Sequence, residues 1–65
     1  NAIPLLMQAL DSDNQTVRLE ATIALGDLGS LAEDAVPAVE FVSEDDPVRT
    51  IRQAAEESLR RIQAE

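Results

Sequence analysis

The sequence contains no cysteine, no histidine, no lysine, no tyrosine and no tryptophan, and its one aromatic residue is Phe41. Without cysteine no disulfide can form, and without cysteine or histidine the usual sulfur and nitrogen ligands of zinc and copper are missing. Nucleophiles are limited to Ser12, Ser30, Ser43, Ser58, Thr16, Thr22, Thr50 and the carboxylates. No serine has a base of the usual kind nearby, so nucleophilic catalysis is not expected. A glycine-rich phosphate loop is also missing: Gly26-Asp27-Leu28-Gly29 reads as a helix terminus. No apolar run approaches the ~20 residues of a membrane span, and no signal-peptide pattern opens the chain. Positive charge is scarce: five arginines stand against thirteen acids, a net charge of −8. Such a chain cannot neutralise a run of phosphates, which disfavours nucleic acid and anionic membrane surfaces. The absence of cysteine fits a reducing compartment, and a cytoplasmic setting is expected.

What is present favours helices. Alanine, leucine, glutamate, glutamine and arginine dominate, while β-branched and aromatic residues are few. Sixty-five residues allow one domain, 1–65, at most. A core of this size contributes roughly 3–5 kcal/mol, so helix packing, caps and contacts with other chains must supply the stability. A marginally stable monomer, with weak self-association possible, is expected. The first residue is Asn1 and not Met, which fits a processed product or a domain cut from a longer chain, the second being the expectation.

The sequence repeats itself. Ala2-Ile3-Pro4-Leu5-Leu6 is echoed by Ala35-Val36-Pro37-Ala38-Val39, and Thr16-Val17-Arg18 by Thr50-Ile51-Arg52. The same register relates Ala21 to Ala55, Leu25 to Leu59 and Leu28 to Ile62. One extra residue belongs in the second internal turn, Ser43 to Pro47. The expected fold is all-α: two tandem antiparallel helical hairpins (four helices), an α-solenoid fragment, with repeats at 2–31 and 32–65. The helices are expected over 2–10, 14–28, 34–42 and from Asp46 to about Gln63. Pro4 and Pro37 lie in first turns, Asp13 and Asp46 are the expected N-caps, and Gly29 is the expected stop.

Helical periodicity assigns the shared faces. Leu5, Leu6 and Ala9 should meet Val17, Ala21, Ala24, Leu25 and Leu28 in the first hairpin. Ala38, Val39 and Val42 should meet Ile51, Ala55, Ser58, Leu59 and Ile62 in the second. The flanks differ between repeats. Ile3, Met7, Leu10, Leu19 and Ile23 are apolar where the second repeat has Val36, Glu40, Ser43, Gln53 and Glu57. Phe41 and Ala54 replace Gln8 and Glu20 on the opposite flanks. These flanks should pack repeat on repeat and leave both outer sides polar, as the ends of a solenoid need to be.

The run Asp13-x-x-x-Val17-Arg18-x-x-Ala21-x-x-Ala24-Leu25-Gly26-x-Leu28-Gly29 resembles the HEAT repeat. It is especially similar to the short HEAT-like variety of phycobilisome lyases. The second repeat keeps Ile51-Arg52-x-x-Ala55-x-x-Ser58-Leu59 but has Arg60 in place of the glycine. The resemblance implies a ladder between neighbouring repeats, built from the turn aspartates and the arginines after the aliphatic position, here Asp13 with Arg18 and Asp46 with Arg52. It also implies a partner-facing surface on the second helix of each hairpin, here Gln15, Thr22, Arg49, Glu56 and Arg60. A hydroxylase branch of the family binds iron through His-Glu pairs; with no histidine, that branch is excluded for this segment.

Glu44-Asp45-Asp46, or Asp11 with Asp13, could approach a hard cation, but a calcium loop needs more oxygen ligands and commonly a turn glycine. A solvated, helix-capping turn is the expected role, with no metal and no cofactor. The functional expectation is a non-catalytic protein-binding or scaffolding module in a longer chain, not an enzyme. The alternative is a component of a bilin lyase or other chromophore-processing enzyme, although a bilin's propionates would want more basic partners than five arginines provide.

Overall fold

Proline and glycine set several of the helix boundaries in the computed structural model of the chain, which describes residues 1–64. Helix α1 spans Ile3–Ala9 with Pro4 in its first turn, and the Asn1 side chain accepts the Ile3 N–H at 3.1 Å. Helix α2 spans Gln15–Leu28 and stops at Gly29, whose φ of +62° suits a residue without a Cβ. A 3-10 segment, Gly29–Ala35, bends at Ala32 and leads into α3, Val36–Asp45, which carries Pro37 at its start. Helix α4 spans Arg49–Gln63. The last residue of the expected second repeat, Glu65, lies outside the described residues.

The all-helical class holds among the described residues, but the helices are unequal. Three of them, α2, α3 and α4, have 14, 10 and 15 residues, whereas α1 has only seven. Four helices, two short and two long, are expected; α1 is reduced to seven residues, and the three longer helices carry the fold. Helix α3 begins two residues later than expected because residues 29–35 take up the tighter 3-10 winding. It also runs on to Asp45, so residues 43–45 of the expected turn are helical.

Both expected caps move. Asn14, not Asp13, caps α2: its Oδ1 accepts the N–H groups of Thr16 at 2.8 Å and Val17 at 3.3 Å. Its extended backbone (φ −86°, ψ 116°) aims the side chain back over the first turn. Val48 flanks the start of α4. Asp46 stands two residues before it and accepts the Val48 N–H at 2.9 Å, while the same carboxylate also takes the Arg18 guanidinium.

Leu10, Ala21, Leu25, Ala32, Ala35, Val39, Val42, Ile51, Ala55 and Ile62 form one buried cluster. Helix α4 packs on both α2 and α3, and so is the central element. The flank expectation succeeds for Ile3, Met7, Leu10 and Leu19, which lie in or against this cluster. It fails for Ile23, 47% exposed, and Phe41, 64% exposed. Leu5, 68% exposed, and Val17 do not close the first hairpin as expected. A seven-residue α1 spans less than two turns of α2 and covers little of it. The outside of the first hairpin is therefore less polar than anticipated.

Gly26 explains how closely α2 and α4 approach. A Cβ there would lie 2.6 Å from Ser58 Oγ and 3.0 Å from Ser58 Cα. The Ser58 hydroxyl donates to the Thr22 carbonyl at 2.7 Å, and the Thr22 hydroxyl donates to the Arg18 carbonyl at 2.8 Å. A mid-helix glycine costs about 1 kcal/mol relative to alanine; here it permits the contact that joins the hairpins.

Candidate functional site

The most densely bonded polar group in the molecule lies between the two intra-hairpin turns. Arg18, on α2, donates from Nε to Asp46 Oδ2 at 2.9 Å and from Nη2 to Asp46 Oδ1 at 3.4 Å. Its Nη1 donates to the Ser12 carbonyl at 2.8 Å. Arg52, one turn into α4, donates to the Asp46 carbonyl at 2.6 Å. The Arg18 and Asp46 side chains are only 13% and 4% exposed. Burial pushes the Asp46 carboxyl up, but the Arg18 hydrogen bond, the Val48 N–H and the charges of Arg18 and Arg52 outweigh it, leaving the pKa below its ordinary 3.8.

The carboxylate pairing therefore crosses the hairpins. Arg18 meets Asp46 instead of Asp13, and Arg52 meets the Asp46 main chain instead of its carboxylate. Asp13 is exposed and makes no hydrogen bond or ion pair among the described residues. Sequence spacing places each arginine near its own turn. Only the packing of the second hairpin against the first decides which turn it reaches.

Of the residues expected on a partner-facing surface, Gln15, Arg49, Glu56 and Arg60 are exposed and Thr22 is not. Gln15 lines a shallow depression with Leu19 and Ile51, between the N-terminal ends of α2 and α4. Arg49 and Glu56 are exposed. Arg60 is exposed and pairs with Glu57 at 2.6 Å. Thr22 must be withdrawn from that surface: it is fully buried, because Ser58 of α4 packs directly over it.

Sequence reasoning missed a groove of about 160 Å³ between α2 and α4, lined by Ile23, Gly26, Ala54, Glu57, Ser58 and Arg61. Its rim is ionic: Arg61 reaches Asp27 at 3.0 Å and Glu57 at 3.4 Å. Hydrogen bonding from Arg60, together with the charges of Arg60 and Arg61, holds the exposed Glu57 carboxyl below its ordinary value. Ile23 was assigned to the packed flank, so nothing in the periodicity marked it as a groove wall. Asp46 and Glu57 are both biased towards the ionised form, opposite to what a general acid requires at neutral pH. The Ser58 hydroxyl is already committed to Thr22. Among the described residues no three acidic side chains gather where a metal could sit, and no helix is long and apolar enough to cross a membrane.

Comparison with known proteins gives this geometry a context. A family model described as HEAT repeats matches residues 1–60. A deoxyhypusine hydroxylase of Candida albicans (strain SC5314 / ATCC MYA-2876) is 41% identical over 63 residues, covering 94% of this chain and 19% of that enzyme. The chain thus spans about a fifth of the length of this relative. No solved structure matches it. The enzyme relative overturns the expectation of a non-catalytic scaffolding module, the expectation that the chain has no enzymatic role, and the exclusion of the hydroxylase branch. That exclusion rested on missing metal ligands, and a segment without such ligands can still be similar to part of a protein whose chemistry is held elsewhere. The match over residues 1–60 shows that the chain belongs to the HEAT-repeat family.

Proposed function

We propose that this chain is a repeat segment of an enzyme of the deoxyhypusine hydroxylase type, with the hydroxylation itself carried by residues outside these 65. The observation that supports this reading is the 41% identity over 63 residues. The iron that the family resemblance implied does not fit here: histidine is absent, and no carboxylate group gathers to replace it. The segment's contribution is positional. Arg18, Asp46 and Arg52 lock the two turns together, with Asp13 beside them, so that repeats 2–31 and 32–65 keep one relative orientation.

Gln15, Arg49, Glu56 and Arg60 then offer a polar surface to the protein that carries the target residue. We assign the repeats to the short, lyase-type variety because the helices are 7 to 15 residues long. Bilin chemistry is not favoured, since Arg18, Arg52, Arg60 and Arg61 all have protein partners. A cytoplasmic setting fits the absence of cysteine, and a monomer is the working assembly.

The test is a chimera. The matching segment of the Candida albicans enzyme is replaced by this chain, and hydroxylation of a deoxyhypusine-bearing substrate is measured. Retained activity supports the reading. A folded chimera without activity would overturn it.

A further inference from the structure

Phe41 is 64% exposed although it is the chain's one aromatic side chain. It does not stand alone on the surface. Its ring borders a groove floored by the buried Leu10 and Val42, and the groove continues past it towards the two turns, where Asp11, Asp13 and Asp45 form the rim. The two continuous stretches have volumes of about 340 and 240 Å³. Arg18 also borders the groove, but its guanidinium is engaged by Asp46 and the Ser12 carbonyl. Among the described residues none of the three rim carboxylates has a cation partner, in a chain of net charge −8.

We propose that this groove docks a basic segment of a partner protein, one that presents an arginine or lysine beside an aliphatic side chain. The aliphatic group would lie on Leu10 and Val42. The cation would sit over the Phe41 face, where the ring quadrupole attracts it, with the aspartates completing the charge complement. An acidic or purely apolar segment lacks one of these two halves. The groove lies on α1, α3 and the turns, not between α2 and α4, so it is independent of the substrate-positioning reading above.

The probe is a short capped peptide of alternating leucine and arginine, titrated into the 65-residue chain and followed by NMR shifts. Its control carries glutamate in place of every arginine. Binding should be weak, with Kd on the order of 100 µM for so small a patch. Shifts should centre on Leu10, Phe41 and Val42 and weaken as salt rises. Phe41→Ala and the double variant Asp11→Asn, Asp45→Asn should each weaken binding about fivefold or more. Phe41→Leu, which keeps apolar volume without the ring, should also weaken it and serves if the alanine variant fails to fold. The proposal is overturned if the arginine peptide causes no shifts at millimolar concentration, or if the glutamate peptide binds equally well. Unchanged affinity in the folded variants overturns it too. So do concentration-dependent shifts of the same residues in the chain alone, which would make the occupant a second copy.

Discussion

Arg18 Nε stands 2.9 Å from Asp46 Oδ2, across 28 positions of sequence and from one hairpin to the other. The guanidinium also holds the Ser12 carbonyl, so one side chain joins the first turn to the second. An exposed pair of this kind contributes about 0.2–1 kcal/mol; this one is largely shielded from water, and removing either partner leaves unmet polar groups inside.

Arg18→Ala should therefore lower stability by about 2–3 kcal/mol, since hydrogen bonds to charged groups contribute roughly 1.5–3 kcal/mol each. Arg18→Lys should recover only part of that loss, because an ammonium cannot span both carboxylate oxygens and the Ser12 carbonyl. Urea denaturation monitored by circular dichroism measures both. Equal stability of Arg18→Lys and the parent chain would show that charge alone suffices.

Acid should weaken the same contact. The folded-state pKa of Asp46 lies below its ordinary value of 3.8, so the unfolded chain binds its proton more readily. The resulting stability is fully present above about pH 4 and is lost as pH falls through the folded value. Melting temperature should decline below about pH 4, and Asp46→Asn should start lower and lose less over that range. Parallel pH profiles for the two chains would contradict this assignment.

Gly26→Ala should destabilise the chain although alanine is the better helix former. The helix gains up to about 1 kcal/mol, but the new methyl would lie 2.6 Å from Ser58 Oγ, and overpacking of this kind costs about 1–3 kcal/mol. Combining it with Ser58→Gly should restore part of the loss, which a double-mutant cycle of thermal melts would register.

Leu25 is fully buried beside Ala21 and Ala55 in the central cluster. Leu25→Ala should cost about 2–5 kcal/mol, comparable with the roughly 3–5 kcal/mol expected of a domain this size. Loss of the cooperative melt is the expected result. Phe41→Ala, at an exposed position, should shift stability by no more than about 0.5 kcal/mol.

Much of this was legible in the residues themselves, because local rules act over a few positions. Pro4, Pro37 and Gly29 each stand where backbone chemistry permits them, and the core positions Ala21, Leu25, Ile51, Ala55 and Ile62 follow from helical period alone. Periodicity tells which side of a helix is apolar. It does not tell how far a neighbouring helix extends over that side. Period alone therefore marks Val17 as packed although the short α1 leaves it exposed, marks Leu5 as packed although it stands 68% exposed on α1, and marks Thr22 as exposed although α4 lies on it.

By itself the sequence determined the helical class, the repeat and the identity of most core residues, since each depends on backbone geometry and on spacing within one element. Tertiary structure alone decided which aspartate Arg18 holds, why Gly26 is tolerated within α2, and that Phe41 stays outside the core. Those outcomes depend on the distance and angle between helices, which side chains from both hairpins set jointly and which no single stretch of sequence contains.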